Sequence, residues 1–159
     1  QHLPDECCLP TGGRHEVNAA ASTTRRRESS TVIGVIALGG AIGSLLRYQA
    51  GILWPTPTGT FPTTTLLINV FGCLVIGGFL TVITEVWDAH RLIRPFFGTG
   101  VLGGFTTFST YCLDVVNLVR LGHWAQAASY LLFTAIGAML AVALGMLGTR
   151  RLVAARRKS

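Results

Sequence analysis

The sequence predicts an all-α membrane protein with four transmembrane helices, and composition and charge placement carry that prediction. Half of the 159 residues are apolar, only 13% are charged and the mean hydropathy is +0.51, whereas roughly 25% of the residues in a soluble domain are charged. Residues 48–84 and 121–149 contain no Asp, Glu, Lys or Arg. A transmembrane helix needs about 20 mostly apolar residues, and a helix satisfies its own backbone hydrogen bonds in lipid. We therefore expect helices and no soluble core.

The charge-poor runs divide into four predicted spans, which are residues 31–48, 63–84, 96–119 and 124–148. Together they form one predicted membrane domain from residue 31 to residue 149. Residues 1–30 mix Pro, Gly, Ser and Thr with four charges of each sign and show no apolar period, so we predict a disordered N-terminal extension. Residues 150–159 form a short basic tail.

The distribution of basic residues predicts the orientation of the spans. Eleven of the thirteen Lys and Arg residues fall in the two termini and the middle loop, and only Arg47 and Arg120 lie toward the other side. Because loops rich in Lys and Arg stay inside, we expect a multi-pass protein of the cell membrane with both termini in the cytoplasm. A basic tail at a membrane face accounts for the sequence pI of about 9.8 without a nucleic-acid partner.

Small residues predict close packing of the first span. Gly39, Gly40, Gly43, Ser44 and Arg47 recur at spacings of three and four residues, which places them on one helix face. A face of small residues lets a neighbouring helix approach closely. Arg47, at the end of this face, either extends to the membrane interface or organises an anion vestibule.

Polar stripes on the second and fourth spans allow two interpretations. Thr65, Asn69 and Gly72 share one face of the second span, and Tyr130 and Thr134 share one face of the fourth. An Asn side chain in lipid needs a polar partner, either on a neighbouring helix or in a cavity. Helix packing and a pore explain these stripes equally well.

The stretch "GGFTTFSTYC" at residues 103–112 favours a pore. Four glycines occur between residues 98 and 104, and Thr106, Thr107, Ser109 and Thr110 follow. A straight helix through these residues would be weak, so we predict that the third helix is broken in mid-membrane. Carbonyl groups freed by a break bind cations, and hydroxyls and helix N-termini face anions. The alternative is a glycine-rich packing face with a mild kink.

Three motifs resemble the small fluoride-specific channels called Fluc, or CrcB-type proteins. They are "GGAIGSLLRY" (39–48), "TLLINVFGC" (65–73) and "GTGVLGGFTTFSTY" (98–111), and the resemblance covers about residues 32–148. It implies a fluoride-selective channel that exports fluoride passively and lowers its toxicity in the cytoplasm. It also implies an antiparallel dual-topology dimer with two pores at the interface.

The resemblance also implies roles for individual residues. The backbone carbonyls of Gly103 and Thr106 would hold a structural sodium ion that is not transported. The ring edge of Phe108 would meet fluoride, and Arg47 would stand at the watery entrance. The other implied pore residues are Asn69, Tyr111, Ser109, Thr110, Thr65, Tyr130 and Thr134. Tyr111 departs from the family, which usually has a second phenylalanine there, so its added hydroxyl bears on fluoride coordination.

The partner subunit is either a second copy of this chain or a paralogue. An antiparallel homodimer requires one sequence to insert into the membrane in both orientations. Eleven basic residues on one side against two on the other give this chain a strong bias toward a single orientation. Our hypothesis is that the chain pairs with a paralogue of opposite bias.

Other classes of protein fit the sequence less well. A small proton-coupled multidrug exporter needs a carboxylate in its first span, and residues 31–46 have none. A non-transporting assembly subunit explains the glycines but leaves Asn69 and the hydroxyl-aromatic stretch without a role. The four histidines lie outside the spans and show no catalytic grouping, so we expect no enzyme. We expect Asp114 to be a helix-end or interface partner, for instance of Arg120.

Overall fold

The computed structural model describes residues 12–57, 59–85 and 91–156, with side chains described from residue 29 onward. Within these residues the chain is helical and contains no β-strand. Helix α1 spans Gly12–Leu53 and α2 spans Thr63–Glu85. A π-helix at Arg94–Leu102 leads into the short α3, Gly103–Phe105, and then into α4, Ser109–Arg120. Helix α5 spans Trp124–Arg156.

Among the described residues, three helices are long and apolar enough to cross a membrane. They are the Ser29–Leu53 part of α1, the whole of α2 and α5. Large apolar side chains on these helices are exposed, such as Leu45, Leu67, Phe133 and Met139, and lipid rather than water suits such faces. The prediction of an all-helical membrane protein is confirmed. The predicted span 96–119 is not among the three, because it is divided into shorter pieces.

The first helix begins earlier than the sequence predicted. Its backbone is helical from Gly12, whereas we expected disorder through residue 30; residues 1–11 of that expected extension lie outside the described residues. The apolar part of α1 already supplies the costly first turns, so extension toward the N-terminus adds one hydrogen bond per residue. Residues 19–21 and 25–27 are Ala and Arg, which are good helix formers.

Helix α1 packs closely against the π-helix through glycines. A Cβ added at Gly39 would lie 2.5 Å from the Phe96 carbonyl oxygen, and one added at Gly43 would overlap the carbonyl oxygen of Val101. The predicted face of small residues on the first span therefore lies against the third segment. A close backbone approach of this kind is the usual basis of helix association in lipid.

Helices α2 and α5 form the other close pair. An added Cβ at Gly77 would overlap the carbonyl oxygen of Val142, and one at Gly145 would overlap that of Leu74. The ends of the pair are linked by an ion pair in which Arg150 Nε lies 2.7 Å from Glu85 Oε1. Both side chains are more than a third exposed, so we assign this pair at most about 1 kcal/mol. The glycine contacts set the position of α5 relative to α2.

Candidate functional site

The chain leaves the helical path between Phe105 and Ser109. Thr106 has φ −74° and ψ 155°, which is extended backbone, and α4 begins at Ser109. The nine-residue π-helix before this break is unusual, because such helices are rare and occur mostly as single turns at functional sites. The glycine and hydroxyl pattern predicted this interruption.

The glycines and the hydroxyl residues of the third segment have different structural roles. An added Cβ at Gly100 would lie 2.9 Å from the Ile36 carbonyl oxygen, and one added at Gly104 would overlap the carbonyl oxygen of Gly40. These two glycines therefore permit packing on α1, while the extended backbone falls in the hydroxyl-rich part that follows. The two interpretations of the stretch, packing face and break, both apply, to different residues.

Asn69 completes the hydrogen bonding of the broken backbone. Its Nδ2 donates to the Thr107 carbonyl oxygen at 2.9 Å, and the Thr107 N–H donates to Asn69 Oδ1 at 2.8 Å. Asn69 is only 8% exposed, and buried backbone polar groups need partners of this kind. The sequence predicts that this amide donates into a pore; in the structure its two hydrogen bonds are with the backbone of Thr107. An amide nitrogen carries two N–H groups, so one of them is not used by Thr107.

No site role was predicted for Thr107 from the sequence. Its hydroxyl accepts a hydrogen bond from the Thr110 N–H at 3.2 Å and donates to Thr110 Oγ1 at 3.1 Å, and Ser109 Oγ lies 3.3 Å away. A hydroxyl that accepts from an N–H three residues later is the pattern of a helix N-cap. The Thr107 hydroxyl therefore binds an N–H of the first turn of α4 from just before the N-cap position, Phe108, and the spacing of Thr107 and Thr110 was the available signal.

Three aromatic rings follow the break. Phe108 is 76% exposed, and its ring centroid lies 5.8 Å from that of Tyr111. The Tyr111 ring lies 5.2 Å from Tyr130, and the Tyr111 hydroxyl donates to the Leu131 carbonyl oxygen at 3.1 Å. The hydroxyl that distinguishes Tyr111 from phenylalanine thus contacts the backbone of α5.

Tyr130 lies in a small buried cluster with Leu118 and Ala127. Its side chain is fully buried, and its hydroxyl donates to Asp114 Oδ2 at 3.2 Å. The hydrogen bond that the structure gives Asp114 therefore comes from Tyr130, and not from Arg120, the example of a partner suggested by the sequence. Asp114 fixes the position of the Tyr130 hydroxyl.

A cavity of about 350 Å³ lies beside the break. The predicted site residues that line it are Asn69, Thr106, Phe108, Tyr111 and Thr134, together with Thr107 and Cys73. The Thr134 hydroxyl is buried and has no hydrogen-bond partner in the structure. A buried hydroxyl without a partner loses about 1–3 kcal/mol of solvation, so an anion or water in this cavity would be stabilised by it.

A second cavity of about 350 Å³ contains Arg47. Thr65, Thr107 and Thr110 also line it, so Thr107 borders both cavities. Arg47 Nε donates to the Gly104 carbonyl oxygen at 3.2 Å, which ties α1 to α3. Gly103 and Ser109 are exposed and are not among the described residues that line either cavity.

Comparisons with known proteins agree with one another. The family model described as CrcB-like protein, Camphor Resistance (CrcB), matches residues 34–146, which include every predicted site residue. The chain is 53% identical over 120 residues to "Fluoride-specific ion channel FluC 2" of Streptomyces avermitilis, covering 73% of this chain and 76% of that protein. It is 50% identical over 147 residues to "Fluoride-specific ion channel FluC 1" of Streptomyces coelicolor, covering 91% and 96%. With a family model that matches most of its length and relatives at this identity, the chain belongs to the CrcB family.

Proposed function

We propose that this protein is a fluoride-selective channel that lets fluoride leave the cell passively across the cell membrane. The relatives named above are called fluoride-specific ion channels. The observation on this chain that carries the proposal is the buried, unpartnered Thr134 hydroxyl in a cavity beside a broken helix. A buried hydroxyl without a partner destabilises the fold if its role is only structural, whereas it can donate a hydrogen bond to an anion in the cavity.

The first cavity holds groups suited to a small anion. Fluoride is strongly hydrated, so a selective path must replace its water with hydrogen-bond donors at short range. The Thr134 hydroxyl, the second N–H of Asn69 and the positive ring edge of Phe108 supply such donors. None of the described residues lining this cavity is charged, so the path binds the ion weakly enough to release it.

The second cavity suits an entrance. Arg47 lines it with the hydroxyl residues Thr65 and Thr110, and a positive charge at the mouth of a path raises the local concentration of anions. Thr107 borders both cavities, which supports a route from one to the other. In this proposal Arg47 attracts fluoride and Thr134, Asn69 and Phe108 conduct it.

In this proposal the segment 94–120 also spans the membrane, as the third of four spans, and two subunits assemble antiparallel. The segment exceeds the length of about 20 residues that a span needs, and its break is bonded to the buried Asn69, as non-helical backbone in a membrane must be. The exposed ring of Phe108, at 76% exposure, suits a surface that a second subunit covers. Ser109 next to it contributes a further hydroxyl on the exposed side.

A structural sodium ion fits the same assembly. The Thr106 carbonyl lies in extended backbone, where it is not aligned in a helical hydrogen-bond ladder. Gly103 is exposed, and nothing lies within 4 Å of its added Cβ. The backbone of Gly103 is therefore accessible to a second subunit. Carbonyl oxygens are suitable ligands for a hard cation. We propose that Gly103 and Thr106 of both subunits hold this ion, which supplies positive charge and links the two broken segments.

Fluoride efflux from liposomes that contain the purified protein tests the proposed function. We expect fluoride to leave quickly when an ionophore balances charge and chloride to stay. Phe108→Ile removes the ring edge and should lower the fluoride rate by about tenfold or more. Phe133→Ile, on an exposed face of α5, is the matched control and should leave the rate unchanged. Equal efflux of chloride, or a Phe108→Ile rate equal to that of the control, would refute the proposal.

A further inference from the structure

Cys73 is a free thiol in the cavity that the proposed path uses. It lies on α2 one helical turn after Asn69, which places the two residues on one face. The residue is partly exposed, and it lines the cavity of about 350 Å³ together with Thr106, Phe108 and Thr134. The function proposed above assigns it no role.

The Thr134 hydroxyl gives this cavity a group that can bind water. Thr134 is 6% exposed and its hydroxyl has no protein partner, and buried water typically occupies such sites. A cavity of about 350 Å³ has room for several water molecules, each of which takes about 30 Å³ in the liquid. The thiolate is the reactive form of cysteine, so a reagent that enters the cavity reacts with the ionised fraction of the Cys73 thiol.

Cys112 offers an internal comparison. It is also free and partly exposed, but it lies on α4 and is not among the described residues lining this cavity. A reagent that enters the cavity therefore meets Cys73, whereas modification of Cys112 adds its bulk elsewhere. The two thiols separate blockage of the path from a general effect of modification.

We propose that Cys73 is a modification site for small thiol-reactive electrophiles and that its modification closes the fluoride path. This inference rests on the proposed function. With methyl methanethiosulfonate, the Cys73 thiol loses its proton to water and the thiolate attacks the sulfenyl sulfur. A mixed disulfide forms, the sulfur–sulfur bond of the reagent breaks, and methanesulfinate leaves with the electron pair. The added S-methyl group then occupies space that fluoride needs.

The test compares two single-cysteine proteins reconstituted in liposomes. One retains Cys73 and carries Cys7→Ser, Cys8→Ser and Cys112→Ser. The other retains Cys112 and carries Cys7→Ser, Cys8→Ser and Cys73→Ser. Each protein's fluoride efflux is measured before and after methyl methanethiosulfonate and again after reduction with dithiothreitol, and peptide mass spectrometry measures the modified fraction.

We expect modification of the Cys73 protein to lower its own untreated fluoride rate by at least about tenfold, because the added group narrows the path, and dithiothreitol to restore the rate. The modified Cys112 protein should keep its own untreated rate. The inference is overturned if Cys73 stays unmodified under conditions that label Cys112, or if fully modified Cys73 protein conducts as before. It is also overturned if both proteins are inhibited equally. Absence of fluoride efflux from the untreated wild-type protein would instead refute the proposed function.

Discussion

Asn69 joins the polar stripe of α2 to the broken backbone, so its replacement tests both structure and conduction. In Asn69→Asp, an ionised carboxylate still accepts from the Thr107 N–H but no longer donates to the Thr107 carbonyl oxygen. We expect unfolding to become easier by about 1–3 kcal/mol. We expect fluoride efflux to fall by at least about tenfold, because a negative charge repels the anion.

The control for this substitution adds the same charge elsewhere. Gln126→Glu lies at the exposed start of α5 and should change neither the fluoride rate nor the thermal midpoint in detergent. Both quantities are measured for each variant beside the wild type. A normal fluoride rate in Asn69→Asp would contradict the place given to Asn69 beside the path.

At the residue scale, the sequence predicted which residues lie at the site more successfully than it predicted the hydrogen-bond partners of those residues. Asn69, Phe108 and Thr134 line one cavity, in keeping with the pore roles that the resemblance to the fluoride-specific channels implied for them. The partner of Asn69 is a backbone group 38 residues away, and no local pattern encodes a contact of that separation. The bond between Asp114 and Tyr130 escaped prediction for the same reason, since it joins two helices.

At the scale of elements, the contact between α1 and the π-helix depends on the absence of a side chain at Gly43. In Gly43→Ala the new methyl group would overlap the Val101 carbonyl oxygen, and backbone on both sides leaves no flexible atom to move. We expect a loss of about 1–3 kcal/mol, as for other overpacked sites. Displacement of the third segment should also lower fluoride efflux.

Gly34→Ala is the matched control on the same helix, because nothing lies within 4 Å of its added Cβ. Alanine is the better helix former by about 1 kcal/mol, so this variant should be as stable as the wild type or more stable. Thermal unfolding in detergent measures both variants. If Gly43→Ala matched Gly34→Ala in midpoint, the close approach of α1 to the π-helix would be wrong.

The element boundaries show where sequence patterns are informative. The charge-free run that contains α2 predicted residues 63–84, and the helix spans Thr63–Glu85. The interruption of the third segment was predicted from poor helix formers, but its π-helical form was not. Weak helix propensity indicates where a helix is interrupted. The form of the interruption depends on tertiary contacts, such as that of Gly100 with the Ile36 carbonyl oxygen.

At the scale of the whole molecule, the charge bias predicts how the chain inserts. Eleven of thirteen basic residues lie in the termini and the middle loop, so we expect a chain expressed alone to place its C-terminus in the cytoplasm. Labelling of a C-terminal tag in intact and permeabilised cells measures this. A tag found on both membrane faces would contradict our hypothesis that the chain pairs with a paralogue of opposite bias, and would support a homodimer.

The central claim is that the cavity beside the broken helix is the fluoride path, and Thr134→Val tests it most directly. Valine keeps the shape of threonine but removes a hydroxyl that has no protein partner. If that hydroxyl serves only the ion, its loss should leave stability unchanged or raise it by about 1 kcal/mol, while fluoride efflux falls by about tenfold or more.

Thr81→Val provides the comparison, because the Thr81 hydroxyl is equally buried but donates to the Gly77 carbonyl oxygen at 3.0 Å. This variant should lose about 1 kcal/mol of stability and keep its fluoride rate. The decisive measurement is fluoride efflux and thermal unfolding of the two variants side by side. We predict a stable but poorly conducting Thr134→Val protein; a Thr134→Val protein that conducts fluoride like the wild type would contradict the account.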